Sequence, residues 1–343
     1  MDLELWSRPP TAPRNIAASM DSLASLPPAA QVAVMEAVVD GYTAILYTSY
    51  IATGGFALVV ADYIHTFPDE VRLMWFAPLS VPKVLFFAVR YYVLVNNIFA
   101  ALFVPGGVTT GFSPSECKSA FVRSAVSSPL VVVGAEAILF YRVYGFSGRG
   151  RWMLIYLVSQ FIAIHVTSFI FLSRYLRSLA FIQWPFSRMS CMPFKADATL
   201  LGAVFAALLS SVIVAMLIMV FIAYRKHRGF NSALLQAFYR DGVFYFICLS
   251  ALASANIGVS FAASSGYKYL FTQLEIDAHA ILATRMLLHL RDVANRETVA
   301  VMSLGLSSSD DRILMRPYTT QTVSSQMRFE KAPAYPSRGY EYD

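Results

Sequence analysis

The sequence predicts an all-α, polytopic membrane protein: a seven-transmembrane-helix bundle with receptor-like topology. Residues 41–61, GYTAILYTSYIATGGFALVVA, form an uncharged run closed at once by Asp62. At about 1.5 Å per residue this run can cross the roughly 30 Å hydrocarbon layer. Runs of the same kind recur along the chain. Composition agrees, with 57% hydrophobic residues against 14% charged; a soluble chain of this length needs far more charge to cover its surface. The apolar blocks are also too continuous for outer-membrane strands, which alternate over about ten residues.

The first crossing is residues 41–61, with the polar segment DYIHTFPDEVR setting its inner boundary. Residues 84–104 form the second and contain Arg90 and the pair Asn96 and Asn97. The third, 123–143, holds Glu136; the fourth, 152–172, has His165 as its readily ionisable member. The fifth, 198–224, carries no charge and is the strongest of the set. The sixth spans 243–263, and the seventh spans 267–290 with Glu275, Asp277, His279 and Arg285 inside it. A charge at mid-membrane costs about 2.5 to 3.5 kcal/mol on insertion scales, so six crossings is the alternative if that last segment stays out.

Basic residues set the expected orientation. Arg72, Lys83, Arg142, Arg149, Arg151, Arg225, Lys226, Arg228, Arg240, Arg291 and Arg296 fall at one end of the bundle. Lys118, Arg123, Arg174, Arg177, Arg188, Lys195 and Lys268 fall at the other. The bias places the amino terminus outside and the carboxyl terminus in the cytosol, with the plasma membrane as one candidate location. The formal net charge of +6 points to membrane lipids, including anionic headgroups, rather than to nucleic acid, because the basic residues flank hydrophobic segments. Residues 1–40 read as a mostly flexible external segment rich in proline, and 41–290 as the membrane domain. No signal-peptide pattern precedes residue 41, so the first helix is expected to do the targeting. Residues 291–343 read as a cytosolic tail, helical for a few residues and then largely disordered, with serines and threonines open to phosphorylation.

Few residues can carry chemistry. Cys117 and Cys191 fall in external connections and could form a disulfide bond, closing about 74 residues and constraining the unfolded chain by roughly 4 kcal/mol; two separately buried thiols are the alternative. Arg90 and Glu136 lie at matching depths on antiparallel neighbours, which suggests an intramembrane ion pair, with separate snorkelling as the alternative. His165, Asn256, Glu275, Asp277 and His279 lie at depths that allow a shared polar cavity. Glu275 and His279 are four apart and face one way, whereas Asp277 is turned about 160° from each and needs another partner. Structural hydrogen bonding between helices would account for the same residues. No HExxH, GxxxxGK or GxSxG motif is present, so no enzyme, cofactor or metal centre is expected. The glycines and arginines of GFSGRGR, between the third and fourth helices, read as a tight turn at the headgroups.

The segment ADYIHTFPDEVRLMWFAPLSVPKVLFFAVRYYVLVNN resembles the signature of a fungal, chiefly basidiomycete, family of multi-pass membrane proteins with a DUF6533-type domain of unknown function. Matching residues are Asp62, Tyr63, Thr66, Glu70, Trp75, Lys83, Leu85, Phe86, Arg90 and Tyr91, within a domain covering about residues 46–97. Phe67 stands where leucine is more usual. ILFYRVYGFSGRGRW and FYRDGVFYFICLSALASAN look similar to later segments of the same family. The resemblance implies a seven-helix membrane protein and supplies no catalytic residue or ligand. Independently, Asp62, Glu70 and Arg72 can organise the first turn, Trp75 can anchor it at the interface, and Lys83 can sit among phosphates while Arg90 pairs deeper.

Three functions are open on these grounds. One is a receptor-like protein that senses an unknown external ligand and signals to a cytosolic protein through a shift of helices five to seven. Another is a small-solute or proton-linked transporter using His165, Glu275, Asp277 or His279. The third is a structural, membrane-organising protein.

Overall fold

The computed structural model describes residues 27–101, 113–181, 193–195, 197–227, 233–263 and 266–307. Among them are seven long helices: α1 Pro28–Glu70, α2 Val81–Ala101, α3 Pro114–Phe146, α4 Arg151–Ser178, α5 Ala198–His227, α6 Ala233–Ala262 and α7 Thr272–Ser307. A two-stranded antiparallel pair, β1 Ala180–Phe181 with β2 Pro193–Lys195, lies between α4 and α5. The architecture is all-α and polytopic. Helices α1 to α6 are each long and apolar enough to cross a membrane, and the window in α5 is the most apolar, with a mean hydropathy of 2.8.

Helix α7 does not meet that standard of length and apolarity, yet it packs against four other helices, α1, α2, α3 and α6. Its Glu275, Asp277 and His279 are all buried. These three face other helices, while the fourth ionisable residue, Arg285, is half-exposed and reaches back to Asp62. Helix α4 does the opposite: Trp152, Ile155, Val158, Ile162 and Val166 are exposed and form an outward apolar face suited to lipid. The main core lies between these extremes, around Val89, Ala135, Leu139, Phe246, Leu249 and Ala283.

Local chemistry explains where the helices start and stop. Ser113 caps α3: its Oγ accepts from the Glu116 backbone N–H at 3.4 Å, while Glu116 Oε2 accepts from the Ser113 N–H at 2.8 Å. Pro114 follows at the first helical position, where its missing N–H costs nothing. The chain reverses into α4 through Gly148, at φ 89°, and Arg149, at φ 58°. Both lie in the left-handed region, so the GFSGRGR segment is a tight turn.

Helix α1 departs from the sequence reading. The inner boundary was expected at Asp62, but the helix runs on to Glu70. Asp62 is buried, neutralised by Arg90 from inside the bundle and by Arg285, whose side chain is half-exposed. Pro68 cannot donate a ladder hydrogen bond, and just beyond it the helix widens into a π-turn, Val71–Trp75. At its other end, α7 extends well past residue 290, to Ser307; residues 308–343, and with them most of the expected tail, lie outside the described residues.

The expected Cys117–Cys191 disulfide falls on Cys191, which lies outside the described residues. A cystine requires Cβ atoms about 4 Å apart, and among the described residues no pair of cysteines stands at that distance. Cys248 is free. At the start of α3 the structure places the Ser113 cap, a fully buried Cys117 and a hydrogen bond from Lys118 Nζ to the Leu179 carbonyl at 3.2 Å.

Close helix contacts rest on glycines. A Cβ built on Gly55 of α1 would stand 2.6 Å from Asp277 Oδ2 of α7, whereas one on neighbouring Gly54 would meet nothing within 4 Å. Gly134 of α3 likewise sits against Val89 of α2. Gly55→Ala is therefore expected to destabilise the bundle by about 1–3 kcal/mol, read as a lower thermal midpoint in nanodiscs. Gly54→Ala should leave the midpoint unchanged or slightly raised, since alanine is the better helix former. Equal midpoints for the two variants would contradict the α1–α7 contact.

Candidate functional site

Two polar assemblies are built between the helices, and α7 contributes to both. The first surrounds Arg90 of α2. Val89 turns toward Gly134 of α3, so Arg90, about 100° further round the helix, faces α1. Its Nε donates to Glu70 Oε2 at 2.5 Å and its Nη1 to Asp62 Oδ2 at 3.2 Å. Nη2 donates to Thr66 Oγ1 at 2.6 Å and to the Tyr63 carbonyl at 3.2 Å. The guanidinium lies over the Tyr63 ring, 4.9 Å from its centroid, and 5.6 Å from that of Phe86. Glu70 Oε1 accepts from Trp75 Nε1 at 3.1 Å and from the Tyr91 hydroxyl at 2.8 Å. Asp62 Oδ1 accepts from Arg285 Nε of α7. Two carboxylates thus meet two guanidiniums, and the group is formally neutral.

This arrangement corrects the expected Arg90–Glu136 pair. The two residues share a depth, but Arg90 points to α1 and Glu136 points away from α2. Lys83 also differs from expectation: its ammonium turns back onto the loop and donates to the Trp75 and Ala77 carbonyls at 2.9 and 2.7 Å. Trp75 itself packs edge-on against Phe67, with ring centroids 6.1 Å apart.

The second assembly is built from five consecutive helices. Glu136 of α3 accepts through Oε2 from Ser211 Oγ of α5 at 2.8 Å, and the same oxygen lies 3.5 Å from His165 Nε2 of α4. The His165 ring stands edge-on to Phe161 at 4.3 Å. Asn256 Nδ2 of α6 donates to Glu275 Oε2 of α7 at 2.5 Å. Glu136 and Glu275 lie within electrostatic reach of each other, as do His165 and His279. Glu136, His165, Asn256, Glu275 and His279 are each at most 7% exposed. Five of their polar atoms have no hydrogen-bond partner among the described residues: Glu136 Oε1, His165 Nε2, Asn256 Oδ1, Glu275 Oε1 and His279 Nδ1.

Asp277 is not part of this cluster. Its Oδ1 accepts from Asn97 Nδ2 at 2.8 Å and Gln273 Nε2 at 3.1 Å, and its Oδ2 packs on Gly55. Asn96, beside Asn97, accepts from Ser128 Oγ at 3.2 Å. Sequence reasoning missed Ser211 and Tyr245. Ser211 sits in the most apolar helix, where a hydroxyl pair at residues 210 and 211 was the available signal. Tyr245 is buried near Glu136 with its hydroxyl oxygen lacking a hydrogen-bond partner among the described residues. Among the described residues no group of three or more His, Cys, Asp or Glu side chains is placed to hold a metal ion.

Residues 50–95 match a family of unknown function, DUF6533. The chain is therefore a DUF6533-domain-containing, multi-pass membrane protein. The match concerns the domain alone and carries no statement about source. No curated protein matches the chain. The matched stretch runs from the middle of α1 through the π-turn into α2, so it contains Arg90 and all its partners, while Arg285, the second arginine on Asp62, lies outside it.

Arg90→Met would leave Glu70 and Asp62 buried without their shared partner, a change expected to cost about 3–5 kcal/mol of stability. Arg90→Lys should not restore it, because one ammonium cannot reproduce a planar fork that serves four acceptors. Tyr91→Phe removes one hydrogen bond and should cost about 1 kcal/mol. Thermal unfolding of the purified protein measures all three; wild-type stability in the lysine variant would contradict the requirement for a fork.

Proposed function

We propose that the protein is a receptor-like membrane sensor and not an enzyme. A small ligand enters the Glu136–His165–Asn256–Glu275–His279 cluster, and its occupancy shifts α7 relative to the rest of the bundle. The cluster's five unpartnered, buried polar atoms support this above all. Each such group costs about 1–3 kcal/mol unless something satisfies it, and ionisable residues inside membranes are chiefly retained for function.

The output follows from α7 being one continuous rod. Glu275 and Asp292 are separated by about 25 Å along it. Near its far end, Asp292 accepts from Arg72 at 2.8 Å, while Arg291 donates to the Leu73 carbonyl at 3.0 Å. A movement of α7 at the cluster is thereby delivered to the loop after α1. The surplus of basic residues at this end supports assigning it to the cytosol, with the amino terminus outside and a signalling protein as the partner. A ligand produces the shift only if it binds one packing of α7 more tightly than the other.

Two acids and two histidines in one buried group favour a second reading, proton-linked transport of a small solute. Both are tested on one preparation: the full chain in nanodiscs carrying a fluorophore at Arg296→Cys, and the same protein in liposomes for flux. A sensor gives a ligand-dependent fluorescence change without flux. Asp292→Asn should retain ligand binding yet lose most of that change. Concentrative uptake that Glu275→Gln abolishes would replace the sensor with a transporter.

A further inference from the structure

The cluster's chemistry also narrows what it can hold, and this step rests on its being a ligand site. With the two carboxyls ionised, three of the unpartnered atoms are acceptors only: Glu136 Oε1, Glu275 Oε1 and the amide oxygen Asn256 Oδ1. They come from α3, α7 and α6 in turn. The two carboxylates lie within electrostatic reach of each other. Their hydrogen bonds come from the neutral Ser211 and Asn256, and neither forms a described ion pair with lysine or arginine. The Arg90 assembly is the internal contrast, since each of its carboxylates meets a guanidinium.

An anion would add a third negative charge to this group, and an apolar ligand would leave every acceptor unmatched. A divalent metal is disfavoured because the described side chains offer no set of three ligands. The complement to several directional acceptors around two like charges is a compact cation that donates several hydrogen bonds. We infer that the cluster binds a small organic cation bearing N–H donors, a primary ammonium, with Glu136 and Glu275 as its charge partners and Asn256 as a neutral acceptor. His165 and His279 lie beside the carboxylates and can accept a further N–H through a bare ring nitrogen.

The test compares methylammonium with tetramethylammonium, which has the same charge and no N–H group, and with sodium at matched ionic strength. Binding of radiolabelled methylammonium to the full chain in nanodiscs is measured directly. Methylammonium is expected to bind saturably and to raise the thermal midpoint, while tetramethylammonium and sodium compete poorly. Glu275→Gln and Glu136→Gln should each weaken binding at least about tenfold, the loss of one charge-assisted hydrogen bond. Asp277→Asn, outside the cluster, should change it less than about twofold. Equal competition by tetramethylammonium or sodium overturns the assignment, as does undiminished binding in both glutamine variants or no saturable methylammonium binding. The wild-type competition does not depend on any variant folding. Methylammonium binding that leaves the Arg296→Cys fluorophore unmoved would remove the sensor function and keep the ligand class. A fluorophore that responds only to ligands without N–H donors would do the reverse.

Discussion

One guanidinium shared between two carboxylates organises the first third of the bundle. Glu70 and Asp62 are eight residues apart on α1, about two turns, and therefore lie on nearly one face. Arg90 reaches both from α2, and the rest of the local structure follows. Helix α1 must continue past the hydrocarbon boundary to carry Glu70 to its place. The chain must then turn back within a few residues so that α2 can present Arg90. The π-turn accomplishes this, with Trp75 and Tyr91 held by the second oxygen of Glu70. Ion pairs of this kind are weak evidence for net stability, because desolvation offsets much of the Coulomb gain. Their geometric effect is stronger: few other packings of α1 on α2 satisfy all four acceptors at once.

The same logic runs through α7 with different chemistry. Arg285 joins it to Asp62, Asp277 joins it to Asn97 and packs on Gly55, and Glu275 joins it to Asn256. The least apolar helix thus has its polar groups matched to three neighbouring helices. Van der Waals packing and lipid effects bring apolar helices together without fixing their rotation. Polar matches of this kind set rotation, and here they set it for α7 against α1, α2 and α6.

Much of the fold was legible in the sequence because hydrophobic length is a one-dimensional property. Six runs long and apolar enough to cross are readable as such, and the seventh, with its charges, forms a long helix that falls short of that standard. Depth along a helix was legible too, since it is only a rise per residue. Azimuth was not. Arg90 and Glu136 were matched by depth and assigned to each other, but one faces α1 and the other faces α4 and α5. Relative azimuth within one helix is legible at 100° per residue, which turns Asp277 away from Glu275 and His279, although the expected shared cavity includes all three. Asp62 was read as a boundary because a carboxylate after an apolar run usually marks headgroups; its neutralisation by arginines 28 and 223 residues away leaves no local trace. The ten matching residues of the domain show what a pattern adds. They are distributed over both helices and the turn, and five of them are contacts of one arginine.

The loop after α1 has a consequence for how the molecule sits in its membrane. Trp75, Phe76 and Leu79 are 49%, 85% and 83% exposed, while Lys83 serves the carbonyls of Trp75 and Ala77. Backbone oxygens freed by the end of a helix ordinarily need water, which keeps such loops in the aqueous phase. Here a side-chain ammonium takes the place of solvent, so the loop carries its own hydration. It can rest its aromatic and aliphatic tips among the acyl chains without stranding those carbonyls. A bundle seated from this edge would expose the turn that Arg90 holds to the composition of the bilayer.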